Sequence, residues 1–358
     1  MLFSDHANLK RYGFIEAENS NPLNPYGLPI GFAVDTHSIP GRGPSLGFTC
    51  AACHTSNVTV KGKVIRGDGA PANLDFDTFY AELAAVVAHT YFDEDAFKRF
   101  ANRVLPDPTP LTIGELRLQF TEFQAMMAGE AVMRRPVFPS GFGRVDALTQ
   151  IINTLSVLGQ KEPTNLRAVK APVSYPHLWL TPQLEFVQWD PVAANPIARN
   201  AGEALGVFVT VKLHGPKEEW YDSSLLINEL YALEQWVKDL KPPPWETNIF
   251  GAFDQALAAT GEALYKDNCV ICHNAPPYQR TDPAENPCGK TFIKIGRTNY
   301  KEVGTDPLYI EALLQRLVRT NEATVEINEG KSVVPALLFF KNTVGAVVIK
   351  AMDELKLS

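Results

Sequence analysis

Two short stretches decide how this chain reads: Cys50-Ala-Ala-Cys53-His54 and Cys269-Val-Ile-Cys272-His273. In each, two residues separate a pair of cysteines and a histidine follows at once. That spacing lets both sulfurs reach one porphyrin edge while the imidazole turns under the ring, the attachment pattern of c-type haem. The chain has 5 cysteines and 7 histidines in 358 residues. Two copies of so specific an order are not expected from such rare residues by chance. The sequence predicts two covalently bound haem c groups on Cys50, Cys53, Cys269 and Cys272, with His54 and His273 as proximal iron ligands.

A zinc tetrahedron closed by the same four thiolates is the competing interpretation, and it would make the chain a zinc-stapled structural protein. Such a site needs no histidine directly after each pair, which favours haem. Thiol redox chemistry fits less well, because a haem-linked sulfur is no longer a thiol. Cys288, in Asn286-Pro-Cys-Gly289, is left over as an ordinary thiol.

The length exceeds one typical core and suggests two domains. A hydrophobic content of 45% is that of a globular chain. No apolar run approaches the ~20 residues of a membrane span. The longest candidate, Val333 to Met352, is broken by Pro335, Lys341, Asn342 and Lys350. A formal charge of −7 disfavours nucleic acid and anionic membrane as partners. Small redox proteins, as basic electron donors or as acceptors, suit it better. Met1-Leu-Phe-Ser-Asp5 has no charged n-region followed by an apolar stretch. Covalent haem attachment in bacteria takes place outside the cytoplasm, so the expected location is periplasmic or secreted, with the leader absent from this chain.

Residues 1–49 are rich in Asn, Pro and Gly and read as a long wrapping segment. Helices are expected from a cap at Asp75 or Asp77 through Tyr80–His89, and from Asp93 through Phe97, Phe100 and Val104. Further helices are expected from a capping box at Thr112-Ile-Gly-Glu115 to about Arg134, and over Asp146–Leu158. Residues 163–200 switch to prolines and aromatics, in Ala171-Pro-Val-Ser-Tyr-Pro-His-Leu-Trp179 and Phe186-Val-Gln-Trp-Asp-Pro191. This stretch is too apolar for a solvated linker and is expected to pack against a haem face. A helix over Ser224–Leu240 ends at Lys241-Pro-Pro-Pro-Trp245, which marks a boundary. The fold expected is mainly α: two cytochrome c-like haem domains with long loops, over 1–244 and 245–358. In the second, an amphipathic helix over Gly261–Cys269 enters the motif, and helices follow near Pro307–Arg319 and Val333–Leu355.

With both motifs, the segments Ala171–Trp179, Arg199-Asn-Ala-Gly-Glu-Ala-Leu-Gly206, Leu240–Trp245 and Val303-Gly-Thr-Asp-Pro307 resemble the bacterial di-haem cytochrome c peroxidase and MauG superfamily. The ordered set is most similar to its rubber-oxygenase-like branch. The resemblance implies a division of labour. The haem on His54 would be the reactive one, open to peroxide or dioxygen, and the haem on His273 would transfer electrons. It further implies a distal acid, for which Glu203 is the candidate, supported by Arg199 or Asn200. Trp189 matches the aromatic residue that family members place near the haems. A calcium between domains is also implied, with Thr305 and Pro307 matching its turn and Asn73 its asparagine. The family takes the second haem's distal ligand from near the chain end, where Met352 is the methionine present and no histidine follows His273. His37, His89, His177 and His214 are the other candidates. His177, among prolines and aromatics, is the best placed, whereas His89 on an apolar helix face reads as structural. A non-enzymatic di-haem electron carrier, with both irons six-coordinate, remains the alternative function.

Overall fold

Short polar side chains set the helix starts. In the computed structural model, which describes residues 5–17, 22–35, 43–194, 196–207, 209–286 and 289–355, the Asp75 carboxylate accepts from the Thr78 N–H at 3.2 Å and opens α1 (Phe76–Phe92). Asp93 accepts from the Ala96 N–H at 2.7 Å and opens α2 (Glu94–Val104). Each satisfies a first-turn donor that has no partner within the helix, worth about 1 kcal/mol. The next helix, α3 (Pro110–Arg134), begins earlier than the Thr112–Glu115 box suggested. Thr109 is its cap, and Thr112 is the third residue that bonds back to the Thr109 N–H at 2.9 Å. Pro110 suits the first helical position, where no N–H is needed.

Asp146 caps α4 (Ala147–Asn153) and also accepts from the N–H groups of Lys170 and Ala171, at 3.0 and 2.9 Å. One buried carboxylate thereby fixes a helix start and the entry to the proline-rich stretch. The helix expected to Leu158 changes character at Thr154, where Thr154–Gly159 forms a π-helical turn. Four further long helices bear on the site: α5 (Pro196–Gly206), α6 (Ile227–Asp239), α7 (Gln255–Asn268) and, after the short α8 (Leu308–Leu314), α9 (Ala336–Glu354).

Strands are short and paired two by two, all antiparallel: β1 (Phe32–Asp35) with β2 (Ser45–Phe48), β3 (Thr55–Val60) with β4 (Lys63–Asp68), and β5 (Arg144–Val145) with β6 (Val173–Ser174). The last pair, β7 (Leu317–Arg319) and β8 (Val333–Pro335), occupies ends of the stretches expected to be helical at 307–319 and 333–355. Pro335 ends β8 where α9 begins, since it cannot donate to a ladder but can precede a first helical turn.

Two hydrophobic clusters form. One is aromatic, with Tyr12, Phe14, Phe48, Phe76 and Phe79 packed around α1, mostly edge to face but with Phe14 stacked on Phe48. The other gathers Ile152, Leu155, Leu205 and Leu213 with Leu313, Val318, Phe339 and Val347. Segments beyond residue 307 thus share a core with residues 148–227, on both sides of the 244/245 division. Arg316 stitches them further: its guanidinium is buried, bonded to Asn153 Oδ1 at 2.8 Å and to the Asn165 carbonyl at 3.0 Å. Burial lowers its pKa to about 9. The stretch from 251 to 307 is covered far less, and α7 buries none of its residues. Helices outweigh the small sheets, so the chain is mainly α.

Candidate functional site

The two C-x-x-C-H stretches adopt the same backbone turn. The Cys53 N–H and His54 N–H both donate to the Cys50 carbonyl, at 3.3 and 3.0 Å; Cys272 and His273 do so to Cys269, at 3.1 and 2.8 Å. Within one helical turn, residues three apart project from one side, so each pair of sulfurs faces a common edge. The first turn follows β2 directly and is gripped from behind by Gly31, whose carbonyl accepts from the Thr49 N–H at 2.8 Å. Gly31 has φ +92°, and a Cβ there would lie 2.3 Å from the Ala52 Cα. Only glycine fits against the motif.

The proline-rich stretch closes on this turn. His54 Nδ1 lies 2.8 Å from the Pro176 carbonyl oxygen, which can only accept. Nδ1 therefore carries the proton, and the Nε2 lone pair is left for a metal. Burial lowers the His54 pKa, partly offset by the Pro176 carbonyl, and so favours the neutral ring that ligation requires. His177 follows Pro176 and lies close enough to His54 for its charge to oppose protonation of that ring. It is exposed, with its ring 5.4 Å from that of Trp179.

Farther along, Val187 and Ala193 bridge to form a tight turn, with Gln188 at φ +82°. The turn aims three side chains. Gln188 Nε2 donates to Glu203 Oε1 on α5 and its Oε1 accepts from the Tyr309 hydroxyl at 3.4 Å. Trp189 Nε1 donates to the Ser174 carbonyl at 2.8 Å and leaves the ring 59% exposed. Asp190 turns inward and is buried. Burial raises the Glu203 pKa to about 7, against the Gln188 hydrogen bond. The Glu203 charge in turn raises both Cys50 and Cys53, which places this carboxylate within electrostatic reach of the first motif. Burial is the larger cause at both, and takes the Cys53 thiol up to about 12.

Arg199 does not join Glu203. Its Nη2 donates to the Thr181 carbonyl at 2.6 Å and to Glu234 Oε1 at 3.1 Å, while Asn200 holds Glu234 Oε2 at 2.8 Å. Both residues bolt α5 to α6 instead of supporting a distal acid, because Glu234 on α6 is the buried carboxylate they meet.

The second motif is open. Cys269, Cys272 and His273 are exposed, with Cys272 Sγ 3.6 Å from Thr298 Oγ1 and the Tyr265 hydroxyl donating to the His273 carbonyl. Leu257, Leu264 and Ile271 stand in solvent beside them, at 70%, 59% and 83% exposure. An uncovered apolar strip leading into a C-x-x-C-H turn fits a flat apolar group bound there. The proline-rich stretch reaches this side too: the Ile293 N–H donates to the Gln183 carbonyl at 2.6 Å and the Glu185 N–H to the Ile293 carbonyl at 3.0 Å.

Among the described residues no three His, Cys, Asp or Glu side chains converge to hold a metal ion, so the four cysteines do not form a zinc tetrahedron. Asn73, Thr305 and Pro307 are each exposed, and no hydrogen bond among the described residues links Asn73 to the turn. Asp306 serves that turn by accepting from the Leu308 N–H at 2.9 Å. Met352 is exposed near the end of α9, and His89, expected to be structural, is exposed near the end of α1. His214 is partly buried; His37 and Cys288 lie outside the described residues. Sequence reasoning missed Gln188, Asp190, Tyr309 and Gly31. Their roles depend on contacts across long separations, 121 positions for Tyr309 and Gln188, and no local pattern marks them.

An uncharacterized protein, y4iJ, of Sinorhizobium fredii (strain NBRC 101917 / NGR234) is 32% identical over 374 aligned positions. The alignment covers 94% of this chain and 61% of that relative, so the chain spans about three-fifths of its length. No protein-family model matches the chain. No solved structure matches it either.

Proposed function

We propose that this chain is a di-haem c-type oxidoreductase that activates peroxide or dioxygen at the haem on His54, with electrons relayed by the haem on His273. The observation that carries this is the His54 Nδ1 contact with the Pro176 carbonyl at 2.8 Å. It sets the tautomer of a histidine that directly follows two cysteines on one turn, and leaves Nε2 as a ligand. When bound, haem c supplies a redox-active iron with room for a small oxidant.

The chain's own residues do the rest. Cys50 and Cys53 anchor the group, and His54 orients it. Glu203, tuned near neutrality, holds a proton at its carboxyl within reach of the same turn, and Gln188 fixes the carboxyl's direction. The stretch from Ala171 to Asp190 packs beside the turn and supplies the Pro176 carbonyl to His54. On the far side, Cys269, Cys272 and His273 hold the electron-transfer haem, and the Gln183–Ile293 pairing couples the two regions. Partners would be small redox proteins, and the location periplasmic or secreted.

The test is a pyridine haemochrome assay on protein matured in a haem-attaching periplasm, followed by visible and EPR spectra with and without hydrogen peroxide. Two haems per chain, one of them changing spin state with peroxide, is the expected result. Fewer than two haems, or stoichiometric zinc, overturns the proposal. Two six-coordinate irons that ignore peroxide would make the chain an electron carrier.

A further inference from the structure

A second carboxylate lies buried on the turn whose Trp189 bonds the Ser174 carbonyl, two residues before the Pro176 that meets His54. Asp190 is 4% exposed, and neither of its carboxylate oxygens meets a hydrogen-bond donor from another of the described residues. A bare ionised carboxylate in such a place is costly, so it must hold a proton or sit where a change of charge repays it. Its setting supplies the second condition. Asp190 belongs to the 187–193 turn that carries Gln188 onto Glu203, and the Glu203 charge acts on Asp190 across that turn. The remaining groups facing them are Tyr309 on α8, whose phenol is held well above its ordinary range, and the two cysteines, which thioether formation would neutralise. No lysine or arginine among the described residues acts on either carboxyl. Burial, with the like charge of Glu203 added and only its own backbone N–H opposing, raises Asp190 to about 7; burial raises Glu203 to about 7 as well. Near neutrality, such a pair shares its protons.

We propose that Asp190 and Glu203 form a proton-loading pair, which binds one further proton from solvent when iron on the Cys50–His54 turn gains one electron, and releases it on reoxidation. This rests on the haem assignment above. The electron comes from an external reductant and lowers the iron charge by one. The proton raises the charge of the pair by one, so the buried site keeps its net charge. In a medium of low dielectric this compensation is strongly favoured. The pair would then have a proton ready beside the place where an oxidant is reduced.

The test uses the protein carrying both haems. Reduction potentials are titrated at a series of pH values spanning about two units on either side of the pair's range. The potential of the His54 haem should fall as pH rises through neutrality, and that of the His273 haem should not. In Asp190→Asn the fall should become shallower, since Glu203 alone is left to take up the proton, with haem content unchanged. In Glu203→Gln its midpoint should move to lower pH, because the like charge is gone. Redox-difference infrared spectra of the wild type should gain a carboxylic-acid C=O band on reduction, and this decides the matter even where Asp190→Asn does not fold. An unchanged pH slope in Asp190→Asn, or the absence of that band, overturns the pair alone. A preparation lacking two covalent haems removes the haem assignment and the pair with it.

Discussion

His54 and Pro176 are 122 positions apart in sequence, yet the Pro176 carbonyl lies 2.8 Å from His54 Nδ1. The contact turns a local motif into a tertiary one. Everything that positions Pro176, including β6 on β5 and the Asp146 carboxylate on Lys170 and Ala171, helps to aim the imidazole.

His54→Ala should therefore keep both haems attached, since the thioethers do not need the imidazole, but leave the first iron without its proximal ligand. Pyridine haemochrome should still return two haems per chain. The visible spectrum should change at one haem only, and added imidazole should restore it. A spectrum identical to wild type would show that His54 is not a ligand.

Gly31→Ala tests the other side of the same turn. The new methyl would collide with the Ala52 backbone at 2.3 Å, at a φ of +92° that alanine rarely adopts. Backbone cannot swing away as a side chain can, so the Cys50–His54 turn must shift. We expect maturation to yield about one haem per chain, lost from the first motif, with a stability cost of roughly 1–3 kcal/mol. Full attachment at both sites would mean that the turn tolerates the shift.

Phe339→Ala addresses the shared core. Phe339 is completely buried among residues from α4, α5 and the segments after 307. Its loss should cost about 3–5 kcal/mol. Because the cluster joins both ends of the chain, denaturation followed at the first haem should shift together with far-ultraviolet circular dichroism. A shift confined to the second haem's signal would show that the C-terminal segments unfold independently.

Much of the fold was legible where the cue is local. Asp75, Asp93 and Asp146 announce their helices because a cap acts within three residues. The motif turns were readable for the same reason. What escaped depends on distance. The strands at Leu317–Arg319 and Val333–Pro335 exist because they pair with each other, and each alone looks like part of an apolar helix. Arg199 shares the stretch that carries Glu203, and only the position of α6 reveals that its partner is Glu234. Asp190, beside a proline, reads as a turn residue, and its burial arises from the fold around it.

Glu203 carries the most specific chemical expectation. Its carboxyl titrates near 7, raised from 4.5 chiefly by burial. As a proton donor it is loaded below that value, so peroxide turnover should decline as pH rises past about 7. Glu203→Gln should slow O–O cleavage roughly 10²–10⁴-fold with haem content intact. The same shift has a consequence for stability. Between the unfolded and folded values the native state binds more protons than the unfolded chain, so stability falls as pH rises. The contribution is fully present below about 4.5 and lost by about 7. Glu203→Gln should flatten that decline, and Asp190→Asn should flatten it further, since Asp190 rises from 3.8 to about 7. Each pKa unit is worth about 1.4 kcal/mol, so the gain at alkaline pH is a few kcal/mol at most. Denaturation midpoints on the acid and alkaline sides, for wild type and both variants, measure it. Variants less stable than wild type on the alkaline side would show that these carboxylates are paired there by a group that neutralises them.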